Sequence, residues 1–277
     1  MFRRYKPFFR AGAMDLMAYK FNIFTWLIVS ILEVAVVIFL WISVYKNSEN
    51  GVDSVINGFT FKEMITYAVM INIFTFVTVD STTLWTINEE IKQGTISMSF
   101  VKPISYRKRF IATTLGNVTT MNLLFGLPCF TIAYLVFYLI DFIVIESIGV
   151  FILHLLLFII AQFVAVLIFD SINYIFGVLC FYTSSGWGIN QIKEVITSFL
   201  SGALLPIAFF PPIFSLVVSY LPFAGLASNP IMILLMKVNV VEAFKLLGIS
   251  IVWVVILEVI AGLLFKHASK KITVHGG

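Results

Sequence analysis

The feature that most constrains this chain is a series of apolar runs that are about as long as a bilayer is thick. A helix needs roughly 20 mostly apolar residues to cross the hydrocarbon core of a membrane. Six runs of about this length occur, separated by shorter stretches that are polar or rich in proline. We therefore predict six transmembrane helices, at 21–45, 63–86, 110–139, 147–182, 192–210 and 243–265.

The composition argues against a soluble domain built around these runs. Hydrophobic residues make up 60% of the chain and charged residues only 12%, whereas soluble domains carry about 25% charged residues. The expected fold class is therefore an all-α integral membrane protein, in which residues 1–277 form a single transmembrane domain embedded in the lipid bilayer.

The distribution of basic residues predicts the orientation. If the N-terminus is cytoplasmic, the inner side holds 14 of the 18 Lys and Arg residues, and the outer side holds only Lys46, Lys62, Lys237 and Lys245. Cytoplasmic loops are enriched in Lys and Arg. We therefore expect a multi-pass protein of the plasma membrane with both termini in the cytoplasm.

The residues before the first predicted span, 2–19, combine aromatic and basic side chains. This composition is typical of an amphipathic helix that lies in the inner membrane interface, with its cations near anionic headgroups. A disordered basic tail is the alternative, and the high aromatic content argues against it.

The stretch before the last predicted span, 209–235, is apolar but is interrupted by prolines. Together with Pro206 just before it, Pro211, Pro212 and Pro222 recur too often for one continuous helix. We predict short re-entrant helices that form an outer hairpin and whose backbone groups are covered by protein. An ordinary apolar outer loop is the alternative, but a stretch with so little charge would be poorly solvated.

The longest charged stretch between predicted spans covers residues 87–109 and is interrupted by Gly94 and Pro103. A membrane protein that keeps a compact charged loop on one side usually presents it to a soluble partner. We therefore expect this segment to contact a second polypeptide.

Four acidic residues fall within the predicted spans: Glu33, Asp80, Asp170 and Glu258. An intramembrane carboxylate is costly and suggests a functional role. No basic residue occupies the middle of a predicted span, so the sequence gives no sign of an ion pair inside the membrane within this chain. Structural and functional roles stay open, and Glu33 and Glu258 are expected to face protein or a cavity.

The chain lacks the motifs of nucleotide hydrolysis and of metal-dependent chemistry. Neither G-x-x-x-x-G-K-[ST] nor H-E-x-x-H occurs, and both cysteines lie in apolar runs. We expect no catalytic residue, no metal, no cofactor and no nucleic-acid partner for this chain.

The chain resembles the permease subunits of type-2 ABC exporters, and especially a bacterial family of six-span permeases. The resemblance lies in short stretches that keep their order along the chain, at 17–22, 59–67, 91–97, 101–105, 201–206 and 221–223. Each stretch alone is a weak signal, and the ordered set is more specific.

This resemblance implies an ATP-driven exporter of the bacterial inner membrane whose separate ATPase subunit binds ATP and Mg²⁺. Two permease chains, identical or similar, would line the translocation path as a dimer, above two ATPase subunits. Segment 87–109 would be the coupling segment, in which Gly94 ends a helix and Pro103 directs the chain toward the third span. Its candidate contact residues are Glu89, Glu90, Lys92, Gly94, Lys102, Pro103 and Tyr106.

Two other classes of protein remain open. A substrate-capturing subunit of an ATP-driven importer would also depend on a separate ATPase, but it is less consistent with the basic N-terminal helix and the proline-broken hairpin. An intramembrane lipid-modifying enzyme would need converging polar residues near a membrane surface, and the sequence contains no such motif.

Overall fold

The computed structural model describes residues 4–18, 20–78, 81–101, 103–145, 147–183 and 185–271. Within these ranges the fold is helical apart from one two-stranded hairpin, which confirms the all-α fold class. The α-helices are α1 (Lys6–Ala18), α2 (Lys20–Lys46), α3 (Phe61–Thr78), α4 (Thr83–Lys92), α5 (Ile96–Val101), α6 (Tyr106–Met121), α7 (Leu127–Leu139), α8 (Ile148–Leu179), α9 (Gly186–Leu200), α10 (Pro212–Tyr220), α11 (Ser228–Leu234) and α12 (Val240–Ala268).

Five helical stretches of the described chain are long and apolar enough to cross a membrane. The second joins α3 to α4 across residues 79–80, which the structure does not describe. The third joins α6 to α7. The five stretches are Ile23–Lys46, Phe61–Lys92, Tyr106–Leu139, Ile148–Leu179 and Val240–Ala268.

The predicted span at 192–210 is not among these five. Helix α9 ends at Leu200, and Gly202 then adopts a φ of +81°. With its 15 residues, α9 is only about 22 Å long at about 1.5 Å per residue, which is less than the roughly 30 Å hydrocarbon core. The Tyr67 hydroxyl donates a hydrogen bond of 3.0 Å to the Gly202 carbonyl and fixes this turn against α3. Six spans are therefore not confirmed.

The proline-rich stretch at 209–235 forms two short α-helices, and each has a proline in its first turn. Pro212 is the first residue of α10, and Pro230 lies in the first turn of α11, where a missing N–H costs nothing. Helix α11 is buried and packs against α3 and α8, whereas Ile213 of α10 is 82% exposed. The short helices are present, but a re-entrant path through a membrane leaflet is not confirmed.

A π-helical turn at Asn122–Gly126 joins α6 to α7. It ends two residues before Pro128, which has no N–H to donate and whose ring crowds the preceding turn of an α-helix. A wider turn is one of the usual ways in which a long helix accommodates such a residue.

The strands β1 (Val55–Ile56) and β2 (Phe59–Thr60) form an antiparallel hairpin, with Val55 opposite Thr60 and Ile56 opposite Phe59. Asn57 and Gly58 in the turn have φ values of +48° and +81°, as two-residue hairpins of the Asn-Gly type require. Lys237, just before α12, donates to the Gly58 carbonyl at 3.2 Å and pairs with Glu63 at 2.7 Å.

Helix α8 is the centre of the fold and packs against α4, α6, α9, α11 and α12. Of its most apolar stretch 44% of the residues are buried, compared with 6% in the first span. The two spans are about equally apolar, so the position in the bundle and not the hydropathy separates the central helix from the peripheral one.

Helix α1 packs closely along α6. A methyl group on Gly12 would overlap the carbonyl oxygen of Thr113, and one on Gly116 would overlap the carbonyl oxygen of Phe9. Small residues let helix backbones approach this closely. A helix is present over Lys6–Ala18 of the predicted interfacial segment 2–19, and it packs on the span that begins at Tyr106.

Candidate coupling segment and the charged cluster beside it

Segment 87–109 contains the end of α4, a turn at Gly94, the short helix α5 and the start of α6. Helix α4 ends at Lys92, and Gly94 takes a φ of +71°. The Gly94 N–H donates to the Ile91 carbonyl at 3.1 Å. A left-handed glycine directly after the last helical residues is a common helix stop, so α4 ends where the sequence predicted, and α5 turns away from it.

The predicted contact residues of this segment divide into two groups. Glu89, Lys92, Gly94 and Pro103 are exposed. Lys102 lies outside the described residues. Glu89 and Lys92 therefore present exposed charges at the end of α4, and Gly94 is exposed in the turn that follows.

The remaining two, Glu90 and Tyr106, face the spans. The Tyr106 hydroxyl donates to Glu90 Oε2 at 2.7 Å, and Arg109 Nη2 donates to Glu90 Oε1 at 2.8 Å. The Tyr106 ring stacks on Phe265 of α12, with ring centroids 5.0 Å apart. Both oxygens of Glu90 are therefore engaged within the chain, and this residue fastens α4 to α6.

A second group of contacts, the charged cluster, centres on Arg107 in the first turn of α6. Arg107 Nη1 donates to Asp170 Oδ2 of α8 at 2.6 Å. Its Nη2 donates to Glu258 Oε1 of α12 at 2.6 Å, and its Nε lies 3.1 and 3.2 Å from the two oxygens of Glu258. The guanidinium also lies 4.8 Å from the centroid of the Tyr174 ring. One arginine thus joins three helices.

Hydroxyl groups complete the coordination of Asp170. Its Oδ1 accepts hydrogen bonds from Thr83 at 2.6 Å, from Thr114 at 2.8 Å and from Ser81 at 3.0 Å. The Asp170 side chain is only 1% exposed. A buried carboxylate is tolerated when it is paired and hydrogen-bonded, and Asp170 meets both conditions. The hydroxyls also attach α4 to the cluster.

The charged cluster pairs two of the acids within predicted spans, although no basic residue lies in the middle of a predicted span. Arg107 stands at the start of a span, not in its middle, and its long side chain reaches inward. Asp170 and Glu258 lie 9 and 10 residues before the ends of their helices, at Leu179 and Ala268. The helix ends of the structure bring the two acids to the same depth, whereas the predicted span ends at 182 and 265 do not show this match.

The other two intramembrane acids differ from this pair. Asp80 lies outside the described residues. Glu33 is exposed on α2, and it has no hydrogen bond or ion pair with any described residue. One turn away, the Ser30 hydroxyl donates to Asn72 Oδ1 of α3 at 2.6 Å, so Glu33 lies beside a polar contact between two spans.

Lys193 on α9 is a further buried cation that the sequence did not single out. Its side chain donates to Asn173 Oδ1 of α8 at 2.9 Å and lies 5.3 Å from the centroid of the Phe169 ring. These contacts hold α9 against the central helix, near the close approach of Gly186 to Asn88 of α4.

Comparison with known proteins adds one finding. A family model described as an ABC-2 family transporter protein matches residues 31–276. No curated protein and no solved structure matches the chain.

Proposed function

Because the chain belongs to the ABC-2 family of transporter membrane proteins, we propose that it is the membrane-spanning subunit of an exporter that a separate ATPase drives. It is a multi-pass membrane component of an ABC-2 type transporter. Members of this family carry no cofactor themselves and are typically not catalytic, so the energy of ATP hydrolysis has to arrive through a contact with a partner.

One observation carries the proposed site of that contact. The end of α4, the turn at Gly94 and helix α5 present exposed polar residues beside two internal networks that join α4 to α6, α8 and α12. A surface that receives a partner needs an exposed part for recognition and a firm attachment to the elements that move. Segment 87–109 combines the two, with Glu89 and Lys92 on the outside and Glu90 and Tyr106 on the inside.

The proposed assembly has two permease chains, identical or similar, and two ATPase subunits that bind ATP and Mg²⁺. Twofold pairing is the commonest closed arrangement of protein subunits. Large apolar side chains stay exposed on the spans of a single chain, for example Phe39 at 71% and Leu139 at 70%. Lipid and a second permease chain would cover these faces.

We further propose a bacterial inner-membrane location with both termini in the cytoplasm, and a path outward from that side. The family resemblance and the basic-residue distribution support this orientation. In this arrangement α9 with the stretch after Gly202 is the sixth crossing, and α10 and α11 form the re-entrant outer hairpin around Pro206, Pro211, Pro212 and Pro222.

The docking experiment uses the chain together with its partner ATPase subunit. Glu89→Lys reverses the charge of an exposed residue, and Gly94→Val places a β-branched side chain at a φ of +71°, which such residues resist. Both variants should weaken ATPase co-purification without changing membrane insertion. Glu49→Lys, an exposed reversal in the loop before β1, is the matched control. Normal docking of both test variants would reject segment 87–109 as the contact.

The mass of the detergent-solubilised complex tests the assembly. Two permease chains and two ATPase subunits are expected. A complex that contains one permease chain would contradict the proposed dimer, and inward movement of the transported molecule in vesicles would favour the importer class.

A further inference from the structure

Arg107 is held between two acids of unequal burial. The Asp170 side chain is 1% exposed, and the Glu258 side chain is 32% exposed. Arg107 itself is 14% exposed. The protein therefore encloses Asp170 almost completely, whereas it leaves about a third of the Glu258 side chain uncovered. Removal of a partner from an enclosed carboxylate is the costlier change, so separation of Arg107 from Glu258 costs less than separation from Asp170.

The two acids also differ in their remaining partners. Asp170 accepts three further hydrogen bonds, from Ser81, Thr83 and Thr114. Beyond Arg107, Glu258 is contacted among the described residues only by the Ser171 hydroxyl, at 2.8 Å. The contacts on the α8 side therefore form a fixed anchor, and the contact on the α12 side is the one that can open.

Arg107 belongs to the same helical turn that ends the coupling segment. Its neighbour Tyr106 is bonded to Glu90 of α4, and Arg109 bonds the same carboxylate. Ser105 caps α6 by accepting from the Lys108 N–H at 3.5 Å. A displacement of α4 or of this cap moves the start of α6, and with it the guanidinium between α8 and α12.

From these observations we propose that Arg107 is a positioning residue that transmits ATPase docking from segment 87–109 to α12, by releasing Glu258 while it keeps Asp170. This inference rests on the proposed function. It assigns α12 the role of the element that moves and α8 the role of the fixed one. Helix α8 is the more buried of the two, with 44% of its apolar stretch buried against 22% for α12.

Loss of the Arg107–Glu258 contact leaves the fold in place, because α12 has other attachments. Leu257 belongs to the main apolar core, and Ala261 and Ala268 belong to the smaller core that contains Tyr106 and Tyr174. Variants of Glu258 therefore report on transmission and not on whether α12 packs at all.

The test measures the purified complex of permease and ATPase with three variants. Glu258→Gln removes the charge of the half-exposed acid at constant shape. Arg107→Gln removes the cation, and Arg107→Lys keeps a charge but loses the planar fork that bridges two carboxylates. Glu242→Gln, an exposed acid in the first turn of α12 that lies far along the helix from the cluster, is the matched control.

Three quantities are recorded: ATPase co-purification, the thermal unfolding temperature, and permease-stimulated ATP hydrolysis per docked complex. For Glu258→Gln and Arg107→Gln we expect docking within about twofold of the unmodified complex and a fall of about tenfold in stimulated kcat, in the range of typical coupling between sites. The KM for ATP should stay unchanged, because the nucleotide lies on the partner. Arg107→Lys should be intermediate, and Glu242→Gln should behave as the unmodified complex.

The outcomes separate this inference from the proposed function. A purely structural role would lower the unfolding temperature but leave kcat per docked complex unchanged, and that result would overturn the inference. Loss of docking by a well-folded Arg107→Lys or Glu258→Gln variant would make the cluster part of the docking surface, which also overturns it. If Arg107→Gln does not fold, the stimulated kcat per docked complex of Glu258→Gln tests the inference. The proposed docking segment is tested by a separate experiment, in which normal ATPase docking of both Glu89→Lys and Gly94→Val would reject it.

Discussion

Asp170 and Glu33 are both carboxylic acids within membrane spans, yet they have opposite surroundings. Asp170 is 1% exposed and is bound by Arg107 and three hydroxyls. Glu33 is exposed and has no partner among the described residues, and its neighbours Leu32 and Val36 are 61% and 65% exposed.

The difference shows which charges this chain neutralises by itself. Beside segment 87–109 it supplies its own cation, and the acids there join α4, α6, α8 and α12. For Glu33 on α2, no described residue supplies one. A carboxylate in the middle of a span is expensive in lipid, so Glu33 calls for a polar partner that the described residues do not supply.

The strongest test of this comparison is Asp170→Ala. The substitution leaves Arg107 and three hydroxyls without their shared acceptor, and removal of one partner from a buried pair costs about 3–5 kcal/mol. The free energy of unfolding in detergent should fall by this amount. Asp170→Asn, which still accepts hydrogen bonds, should cost less. Unchanged unfolding in the Ala variant would mean that the charged cluster contributes nothing to stability.

The close packing of α1 on α6 can be tested separately. Gly116→Ala places a methyl group against the Phe9 carbonyl, where nothing flexible can yield. Overpacking of this kind costs about 1–3 kcal/mol. Gly262→Ala on α12 is the matched control, since a methyl group there meets no atom within 4 Å. Equal unfolding temperatures for the two variants would contradict the close approach of α1 and α6.

Glu258→Ala should have a smaller effect on stability than Asp170→Ala. Glu258 is partly exposed, and Arg107 keeps Asp170 as a partner, so we expect a loss of about 1–2 kcal/mol from unmet hydrogen bonds. The free energy of unfolding in detergent, measured as for Asp170→Ala, gives this loss. A loss as large as that of Asp170→Ala would remove the distinction between an anchor and an openable contact.

Glu33→Ala should have the smallest effect on the unfolding of a single chain. Since no described residue bonds to Glu33, its removal should change the free energy of unfolding by no more than about 0.5 kcal/mol. Transport or permease pairing should change instead, and Glu33→Gln should separate the loss of charge from the loss of the side chain. Unchanged unfolding together with unchanged transport and pairing in both variants would make Glu33 a passive surface residue.

Much of the fold follows from local patterns in the sequence. Runs of apolar residues predict the five described candidate spans, Gly94 predicts the end of α4, and the prolines at 211–230 predict short helices between α9 and α12. The predicted sixth span at 192–210 is not confirmed, because the apolar run continues past Leu200 while the chain turns at Gly202. That turn depends on Tyr67, 135 residues away in sequence, and hydropathy contains no information on such a contact.

The sequence by itself determined the membrane class, the charged segment 87–109 and the presence of costly acids within spans. Only the tertiary structure decided which acids are paired. Arg107 meets Asp170 and Glu258 across separations of 63 and 151 residues, and Glu90 faces inward while its neighbour Glu89 faces outward. The physical reason is that hydrophobicity and helix stops act over a few residues, whereas an ion pair forms only after packing has set the depth and rotation of each helix.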